Sequence, residues 1–370
     1  MRCAAGAVLP TDMAPRTQKR TVTDGAAAPS SRKRRAVLDD KPAISTNYFA
    51  SSDDKPHSYV RSGARVLDCT IGGGYVLGRV VNLVGDKSTG KTLLAIEACA
   101  NFIRDYPNGK IQYAEAEAAF DQQYAEALGM PLASVKFSDS LNTVEDWYED
   151  LDKFLKGLDG KPGLYILDSL DALSDEAEQG RGMGDSSYGG SKPKKIGELF
   201  RRLVQEIEKS KCLVIIISQI RDKLNVTFGE TKTRSGGRAL DFYASQVIWL
   251  AEVEKLKRTI DKVDRVTGIK VRANVKKNKV GLPFRQCTFP LLFGYGIDDL
   301  TAAVEWLIEV HRDERLKEAG LSVAGYKVRL NNLRDKGGEE VRDLRSILGR
   351  IVEEEWARIE TSFLPKSSKY

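Results

Sequence analysis

The hydrophobic positions between residues 62 and 297 fall into short apolar runs separated by stretches with helical periodicity. The apolar runs predict β-strands over residues 79–84, 111–114, 163–167, 212–218, 246–251, 269–276 and 285–292. The periodic stretches predict α-helices over residues 92–104, 144–158 and 195–210. Apolar strands that alternate with helices indicate an α/β fold with a mostly parallel central sheet flanked by helices. The last strands follow one another without long helices, so we expect that edge to be antiparallel.

The pattern changes on both sides of this region. Residues 1–55 are rich in Ala, Pro, Ser, Thr and charged residues and lack apolar periodicity, which predicts disorder. Helical periodicity returns over residues 304–310 and 341–359, with a break at Gly337-Gly338 between them. The predicted parts are a disordered basic arm over residues 1–55, an α/β core over 56–299 and a small, mostly helical unit over 300–370.

Composition and charge narrow the class of protein. No apolar run reaches the roughly 18 residues needed to cross a bilayer, and the N-terminus has no apolar signal segment of the required length. We therefore expect a protein of the cytoplasm or another nucleic-acid compartment, without membrane contact. The five cysteines form no CxxC pair, which argues against a disulfide framework or a zinc site. The net charge is +6, and residues 1–60 hold ten Lys/Arg against six Asp/Glu. The basic run at residues 32–35 is compatible with a solvated linker, a phosphate-binding arm or a nuclear localisation signal.

A glycine-rich turn follows the first predicted strand and precedes the first predicted helix. The turn fits GxxxxGK[ST] at each fixed position and consists of Gly85, Asp86, Lys87, Ser88, Thr89, Gly90, Lys91 and Thr92. Glycines let successive backbone N–H groups face a phosphate, and the helix N-terminus adds its positive end. We therefore predict an ATP site in which Lys91 reaches the β- and γ-phosphates and the Thr92 hydroxyl binds Mg²⁺.

Carboxylates follow two other predicted strands. Asp168 ends the run over residues 163–167, where ligands gather in parallel sheets, and we predict that it holds Mg²⁺ together with Thr92. Glu115 and Glu117 follow the strand over residues 111–114, and either could orient the attacking water. Their spacing does not choose between them.

These motifs and their order resemble the RecA family of recombinases from about Ser62 to Ile297. The resemblance implies a RecA-type P-loop NTPase core in which Glu117 activates water. It also implies that Asp121 and Tyr124 contact adenine, and that Gln219 senses the γ-phosphate and links it to a DNA-binding loop. From the residues alone, Gln219 is also explained as a polar end of a buried strand.

The family has two DNA-binding loops, which match residues 178–190 and 221–238. The residues implied as DNA contacts are Met183, Tyr188, Arg221, Lys223, Leu224, Phe228, Arg234, Gly236 and Gly237. Their cations can neutralise phosphates, and an apolar side chain such as Leu224 can wedge between bases. An ordinary basic surface loop is the competing interpretation.

Lys277 and Lys279 match two lysines that reach the ATP of the neighbouring subunit in this family. They are separated by one residue, so in a strand both face the same side. Such a pair acts like an arginine finger and makes hydrolysis depend on assembly. The chain departs from the bacterial pattern at Asp241, where a lysine at the subunit interface is common, and such departures suit a bacteriophage-encoded or divergent member.

The resemblance implies an ATP-dependent, Mg²⁺-requiring recombinase that polymerises on single-stranded DNA as a helical filament. The filament would pair that strand with double-stranded DNA and exchange strands, in the cytoplasm of a bacterium or a phage-infected host. The alternatives are a hexameric DNA helicase-type motor and a recombination mediator with little hydrolysis on the same core.

Overall fold

A computed structural model of the chain describes residues 58–180, 191–222 and 232–367, with backbone only at residues 221, 222 and 232. The strands are β1 (Tyr59–Val60), β2 (Tyr75–Val76), β3 (Val80–Gly85), β4 (Lys110–Glu115), β5 (Val135–Ser138), β6 (Gly163–Asp168), β7 (Cys212–Asp222), β8 (Lys232–Arg234), β9 (Gln246–Ile260), β10 (Val263–Asn278), β11 (Gln286–Leu292) and β12 (Gly296–Ile297). The α-helices are α1 (Arg65–Thr70), α2 (Lys91–Asp105), α3 (Gln122–Ala127), α4 (Val144–Lys156), α5 (Glu176–Gln179), α6 (Ser191–Lys209), α7 (Gly237–Tyr243), α8 (Asp299–Glu309), α9 (Tyr326–Lys336) and α10 (Glu339–Ser362). Short 3-10 helices occupy Leu132–Ser134 and Asp313–Ala319.

The central sheet confirms the predicted α/β architecture. In the described residues its strand order is β12-β11-β10-β9-β3-β7-β6-β4-β5, and β8 pairs with β7. Strands β9, β3, β7, β6, β4 and β5 run parallel to one another. Strand β6 is buried over its whole length and β7 is buried from Cys212 to Ser218, which explains why both read as unbroken apolar runs.

The other edge of the sheet is antiparallel, as the pattern predicted. β9 pairs with β10, β10 with β11 and β11 with β12. The β9–β10 hairpin is longer than predicted, because its paired residues extend to Ile260 and Val263. Residues 251–255 and 257–266 are exposed, so polar side chains are tolerated there and the apolar signal ends near Leu250.

Helices cover the sheet on both faces and bury one apolar cluster on each. Helices α4, α6 and α7 contribute Trp147, Phe200 and Leu240 to the cluster on one face. Helices α1, α2, α8 and α10 form the cluster on the other face. In α6, the buried residues are Ile196, Gly197, Leu199, Phe200, Leu203 and Ile207, as its predicted periodicity requires.

The last part of the described chain is helical, and its apolar residues continue the cluster formed by α1 and α2. Trp306 on α8 stacks on Trp356 of α10 with ring centroids 5.4 Å apart. Between α9 and α10, Gly337 and Gly338 have φ angles of 63° and 93°, a conformation that favours glycine. The boundary at residue 300 remains a prediction. Among the helices of the described residues, none has the length and hydropathy needed to cross a bilayer.

Candidate nucleotide-binding and catalytic site

The turn from β3 to α2 requires glycine at both fixed glycine positions of the motif. A Cβ on Gly85 would lie 2.5 Å from Thr89 Oγ1 and 2.9 Å from the Leu250 carbonyl oxygen. Gly90 has a φ of 85°, and a Cβ there would lie 2.2 Å from Leu291 Cδ1. The chain can therefore curl tightly before α2, so that the helix N-terminus faces the carboxyl edge of the sheet.

Lys91 begins α2 and points back into this turn. Its Nζ donates a hydrogen bond to the Asp86 carbonyl oxygen at 2.7 Å, and the side chain is buried. Burial lowers the pKa of Lys91, while the carboxylates of Asp168 and Glu117 act in the opposite direction. A partly desolvated ammonium inside a glycine-rich turn is well placed to meet phosphate oxygens.

Thr92 and Asp168 meet where β6 ends beside α2. Thr92 Oγ1 and Tyr113 Oη each donate to Asp168 Oδ2, both at 2.8 Å. Burial raises the pKa of Asp168, and the two hydroxyl donors oppose that shift. A hydroxyl and a buried carboxylate are hard oxygen donors of the kind that Mg²⁺ prefers, so the donor set fits this ion.

The carboxylates of Glu115 and Glu117 have different hydrogen-bond partners. The Glu115 carboxylate accepts hydrogen bonds from the backbone N–H groups of Glu117, Ala118 and Ala119 at 3.0, 2.9 and 3.1 Å. Glu115 therefore fixes the turn after β4. The positive φ of 53° at Ala118 belongs to the same turn. Glu117 itself is exposed.

Glu117 is joined to the ends of two other strands. Its Oε1 accepts a hydrogen bond from Gln219 Nε2 at 3.0 Å and another from the Ser169 hydroxyl. Gln219 lies beside Gly85 in the parallel pairing of β7 with β3. Glu117 and Gln219 thus lie at the same edge of the sheet as the glycine-rich turn of residues 85–92, the P-loop, as the strand order requires.

The two residues predicted to contact adenine lie at the start of α3. Asp121 caps this helix, because its Oδ1 accepts a hydrogen bond from the Tyr124 backbone N–H at 3.0 Å. The Tyr124 side chain is exposed to 36%. The cap accounts for Asp121 structurally, and an adenine contact for either residue remains a proposal.

Lys277 and Lys279 both reach the C-terminal end of α7. Lys277 Nζ donates to the carbonyl oxygens of Asp241 and Phe242, the latter at 3.0 Å, and Lys279 Nζ donates to Phe242 O at 3.2 Å. Burial and the neighbouring Lys279 lower the pKa of Lys277. The negative end of a helix attracts cations, which explains why both side chains gather there.

Arg234 and Asp241 form an ion pair across the turn between β8 and α7. Arg234 is buried against this carboxylate, and a DNA contact for Arg234 remains a prediction. Asp241 is thereby explained as the internal partner of Arg234. Gly236 and Gly237, with φ angles of 90° and 54°, lie between the two partners, where Gly236 is the N-cap of α7 and Gly237 its first residue.

The other predicted DNA contacts lie outside the described residues. They are Met183, Tyr188, Lys223, Leu224, Phe228 and the side chain of Arg221. They remain predictions.

Two residues of the site were not predicted from the sequence: Tyr113 and Ser169. The apolar pattern places Tyr113 within a buried strand and gives no sign that its hydroxyl contacts Asp168. Ser169 follows Asp168 directly, and a polar residue directly after a buried strand is the available signal.

Comparison with known proteins agrees with this geometry. The family model described as the RecA N-terminal domain matches residues 46–298. Protein RecA of Limosilactobacillus reuteri is 36% identical over 262 residues, which cover 70% of each chain. Protein RecA of Nostoc punctiforme is 36% identical over 246 residues, covering 66% of each chain. Protein RecA of Prochlorococcus marinus is 36% identical over 241 residues, covering 65% of this chain and 61% of that protein. The chain therefore belongs to the RecA family.

Proposed function

We propose that this protein is a DNA-dependent ATPase that assembles on single-stranded DNA and catalyses homologous pairing and strand exchange. The contact between Glu117 Oε1 and Gln219 Nε2 is the observation that carries this proposal. It joins the proposed water-activating carboxylate to the strand that leads directly into the proposed DNA-binding segment, residues 221–238. ATP hydrolysis and DNA binding can therefore influence each other through one residue.

The P-loop binds the phosphates of ATP through its backbone N–H groups and the N-terminus of α2. Lys91 neutralises charge on the β- and γ-phosphates. Thr92 and Asp168 would hold Mg²⁺, which when bound neutralises further charge on the phosphate oxygens. Glu117 takes a proton from the attacking water as the bond between the γ-phosphorus and the bridging oxygen breaks.

Lys277 and Lys279 act on the ATP of the neighbouring subunit in this proposal. Their ammonium groups are gathered at the end of α7, where the helix carbonyls hold them together. The pair would stabilise charge that develops as the γ-phosphate leaves, as an arginine finger does. Hydrolysis would then be fast only in an assembled filament.

The DNA contacts are proposed for the segment from Arg221 to Arg238. Gly236 and Gly237 adopt positive φ angles, and the backbone N–H groups at the start of α7 are proposed to meet a phosphate. Cations of this segment would neutralise further phosphates. Base pairing within the filament would supply sequence specificity. Single-stranded and double-stranded DNA are the proposed partners, and the cytoplasm is the proposed compartment.

The test is ATP hydrolysis by the full chain with and without single-stranded poly(dT). We expect at least about tenfold stimulation by DNA and loss of hydrolysis in Lys91→Ala, because the phosphate charge is no longer neutralised. Lys110→Ala is the matched control, since Lys110 lies at the opposite end of the sheet and pairs with Asp159. Its hydrolysis should equal that of the wild type.

Wild-type protein that binds ATP but shows no stimulation would overturn the proposal and favour a mediator. Electron microscopy of the protein with poly(dT) and a slowly hydrolysed ATP analogue gives the second readout. Helical filaments are expected, whereas closed rings would favour a helicase-type motor.

A further inference from the structure

The turn that follows β6 contains a carboxylate that the proposed reaction does not use. Asp171 lies three residues after Asp168 and is partly buried. Its Oδ2 accepts a hydrogen bond from the backbone N–H of Gln219 at 2.6 Å, and its Oδ1 accepts one from Ser235 Oγ at 2.6 Å. One carboxylate therefore joins three segments that are far apart in the sequence.

One partner of Asp171, Gln219, precedes the proposed DNA-binding segment, and the other, Ser235, lies near the end of that segment. After Gln219 the chain continues into a short antiparallel stem in which Ile220 faces Arg234. Ser235 follows the stem on its returning strand. Asp171 thus contacts the base of the stem on both the outgoing and the returning chain.

The returning chain is packed closely against the same turn. Gly236 has a φ of 90°, and a Cβ there would lie 3.0 Å from Leu170 Cδ2. Lys192 Nζ donates to the Leu170 carbonyl oxygen at 2.8 Å, which ties the turn to α6 as well. The Asp171 turn is therefore a fixed support against which the base of the stem is held.

The side chain of Gln219 contacts the catalytic site, and the backbone N–H of Gln219 contacts Asp171. Its Nε2 donates to Glu117, while its N–H donates to Asp171. A movement of the Gln219 backbone that carries its side-chain amide toward a γ-phosphate therefore alters, or is resisted by, the hydrogen bond to Asp171. Hydrogen bonds to a charged acceptor are stronger than neutral ones, so this restraint is substantial.

We propose that Asp171 is the positioning residue that transmits nucleotide occupancy at Gln219 to the base of the DNA-binding segment. This inference rests on the function proposed above and names the group that couples its two halves. Asp171 holds the outgoing and returning chains together through its two oxygens, so both chains respond when Gln219 is drawn to the nucleotide. A carboxylate that only completed the end of β7 would need the contact with Gln219 alone.

The test compares Asp171→Asn, Ser235→Ala and the control Asp159→Asn in the full chain. Asn keeps the shape of Asp but has one acceptor oxygen, so it cannot accept both hydrogen bonds in the same way. Ser235→Ala removes only the contact on the returning chain. Asp159 is exposed on the far side of the sheet, and its positive φ of 52° suits Asn.

Two quantities are measured for each variant: basal ATP hydrolysis, and the Kd for fluorescent poly(dT) with and without a slowly hydrolysed ATP analogue. In wild-type protein the analogue should strengthen DNA binding. In Asp171→Asn we expect this nucleotide-dependent gain to fall about tenfold, the equivalent of one hydrogen bond to a charged group. In Ser235→Ala the nucleotide-dependent gain should fall about threefold, since one of the two contacts of Asp171 remains.

Basal hydrolysis and DNA affinity without nucleotide should stay within about twofold of the wild type, because the P-loop and the DNA contacts are intact. If Asp171 had a purely structural role, its substitution would instead lower basal hydrolysis and DNA affinity together. An unchanged nucleotide-dependent gain in both variants would overturn the inference on Asp171 alone. A wild-type protein without DNA-stimulated hydrolysis would overturn the proposed function, and the inference with it. If Asp171→Asn does not fold, Ser235→Ala decides the question.

Discussion

The two halves of the central sheet bury carboxylates in different surroundings. At the carboxyl edge of the parallel strands, Asp168 accepts hydrogen bonds from the hydroxyls of Thr92 and Tyr113. Against the antiparallel half, Asp68 on α1 accepts the backbone N–H of Ser62 at 2.8 Å and lies 3.8 Å from an Arg61 nitrogen. Asp299 at the start of α8 accepts the Arg65 N–H at 2.6 Å.

The difference in hydrogen-bond donors distinguishes a carboxylate of a binding site from carboxylates that hold helices in place. Hydroxyl donors can turn away, which leaves the oxygens of Asp168 available to a cation beside the P-loop. Backbone N–H groups are fixed by the fold, so Asp68 and Asp299 are committed to holding α1 and α8 in place. Substitutions in the parallel half should therefore change turnover, and substitutions around α1 should change stability.

Glu117→Gln tests the catalytic side of this comparison and has the largest expected effect. Gln cannot take a proton from water, so we expect kcat for ATP hydrolysis to fall about 10³-fold with ATP affinity and Tm nearly unchanged. Single-turnover hydrolysis and thermal unfolding give the two readouts. Glu126→Gln, on the exposed side of α3, is the matched control. A larger loss in Glu115→Gln than in Glu117→Gln would reverse the roles that the hydrogen bonds indicate.

Asp68→Asn tests the structural side through pH. Burial raises the pKa of Asp68 from 3.8 to about 7. Between those values the folded state binds this proton more tightly than the unfolded state does, so the free energy of unfolding falls as pH rises from about 4 to about 7. In wild-type protein this contribution should reach about 4 kcal/mol, and Asn should remove it.

Urea unfolding at several pH values measures this effect. Asp343→Asn, on an exposed face of α10, is the control and should keep the wild-type pH dependence. Equal pH slopes for wild type and Asp68→Asn would show that Asp68 is not the responsible group. ATP hydrolysis at pH 7 should be unaffected by Asp68→Asn, as the comparison requires.

The variants Lys277→Ala and Lys279→Ala test whether the antiparallel half of the sheet contributes to ATP hydrolysis. Each variant should lower DNA-stimulated hydrolysis about tenfold, since one of two cations remains, and basal hydrolysis should not change. Lys276→Ala is the matched control, because this residue lies on the other face of the same strand. Mixing Lys277→Ala with Lys91→Ala protein should restore part of the activity, since each supplies what the other lacks across a subunit boundary. No restoration would place the lysines in the site of their own subunit.

Deletion of residues 1–55 should have the smallest effect. This segment holds ten Lys/Arg and six Asp/Glu, so its loss should weaken poly(dT) binding about threefold and flatten the dependence of log Kd on log salt. A deletion of residues 1–31, which keeps the basic run at 32–35, should retain most of the salt dependence. An unchanged slope after the longer deletion would exclude a role in phosphate binding.

The fold was predicted well where side chains are buried on a regular period. The pattern predicts β6 and β7 because their apolar residues are consecutive. It predicts α6 because the apolar residues lie along one helical face. α9 was missed because it buries only Tyr326, Leu330 and Leu333, and its remaining positions are polar. The outer part of the β9–β10 hairpin was missed because its side chains are exposed.

The sequence by itself determined the P-loop, the strand that ends in Asp168 and the mostly parallel sheet, because these depend on local periodicity and fixed spacing. It left open which of Glu115 and Glu117 faces the nucleotide. It also pointed to Arg234 as a phosphate contact. Tertiary structure alone shows that Glu115 accepts hydrogen bonds from backbone N–H groups of its turn and that the buried Arg234 pairs with Asp241. The roles of Glu117 toward ATP and of Arg234 toward DNA remain proposals. Contacts between residues far apart in the chain, such as Asp171 with Gln219 and Ser235, have no local signature, because folding alone brings their strand ends together.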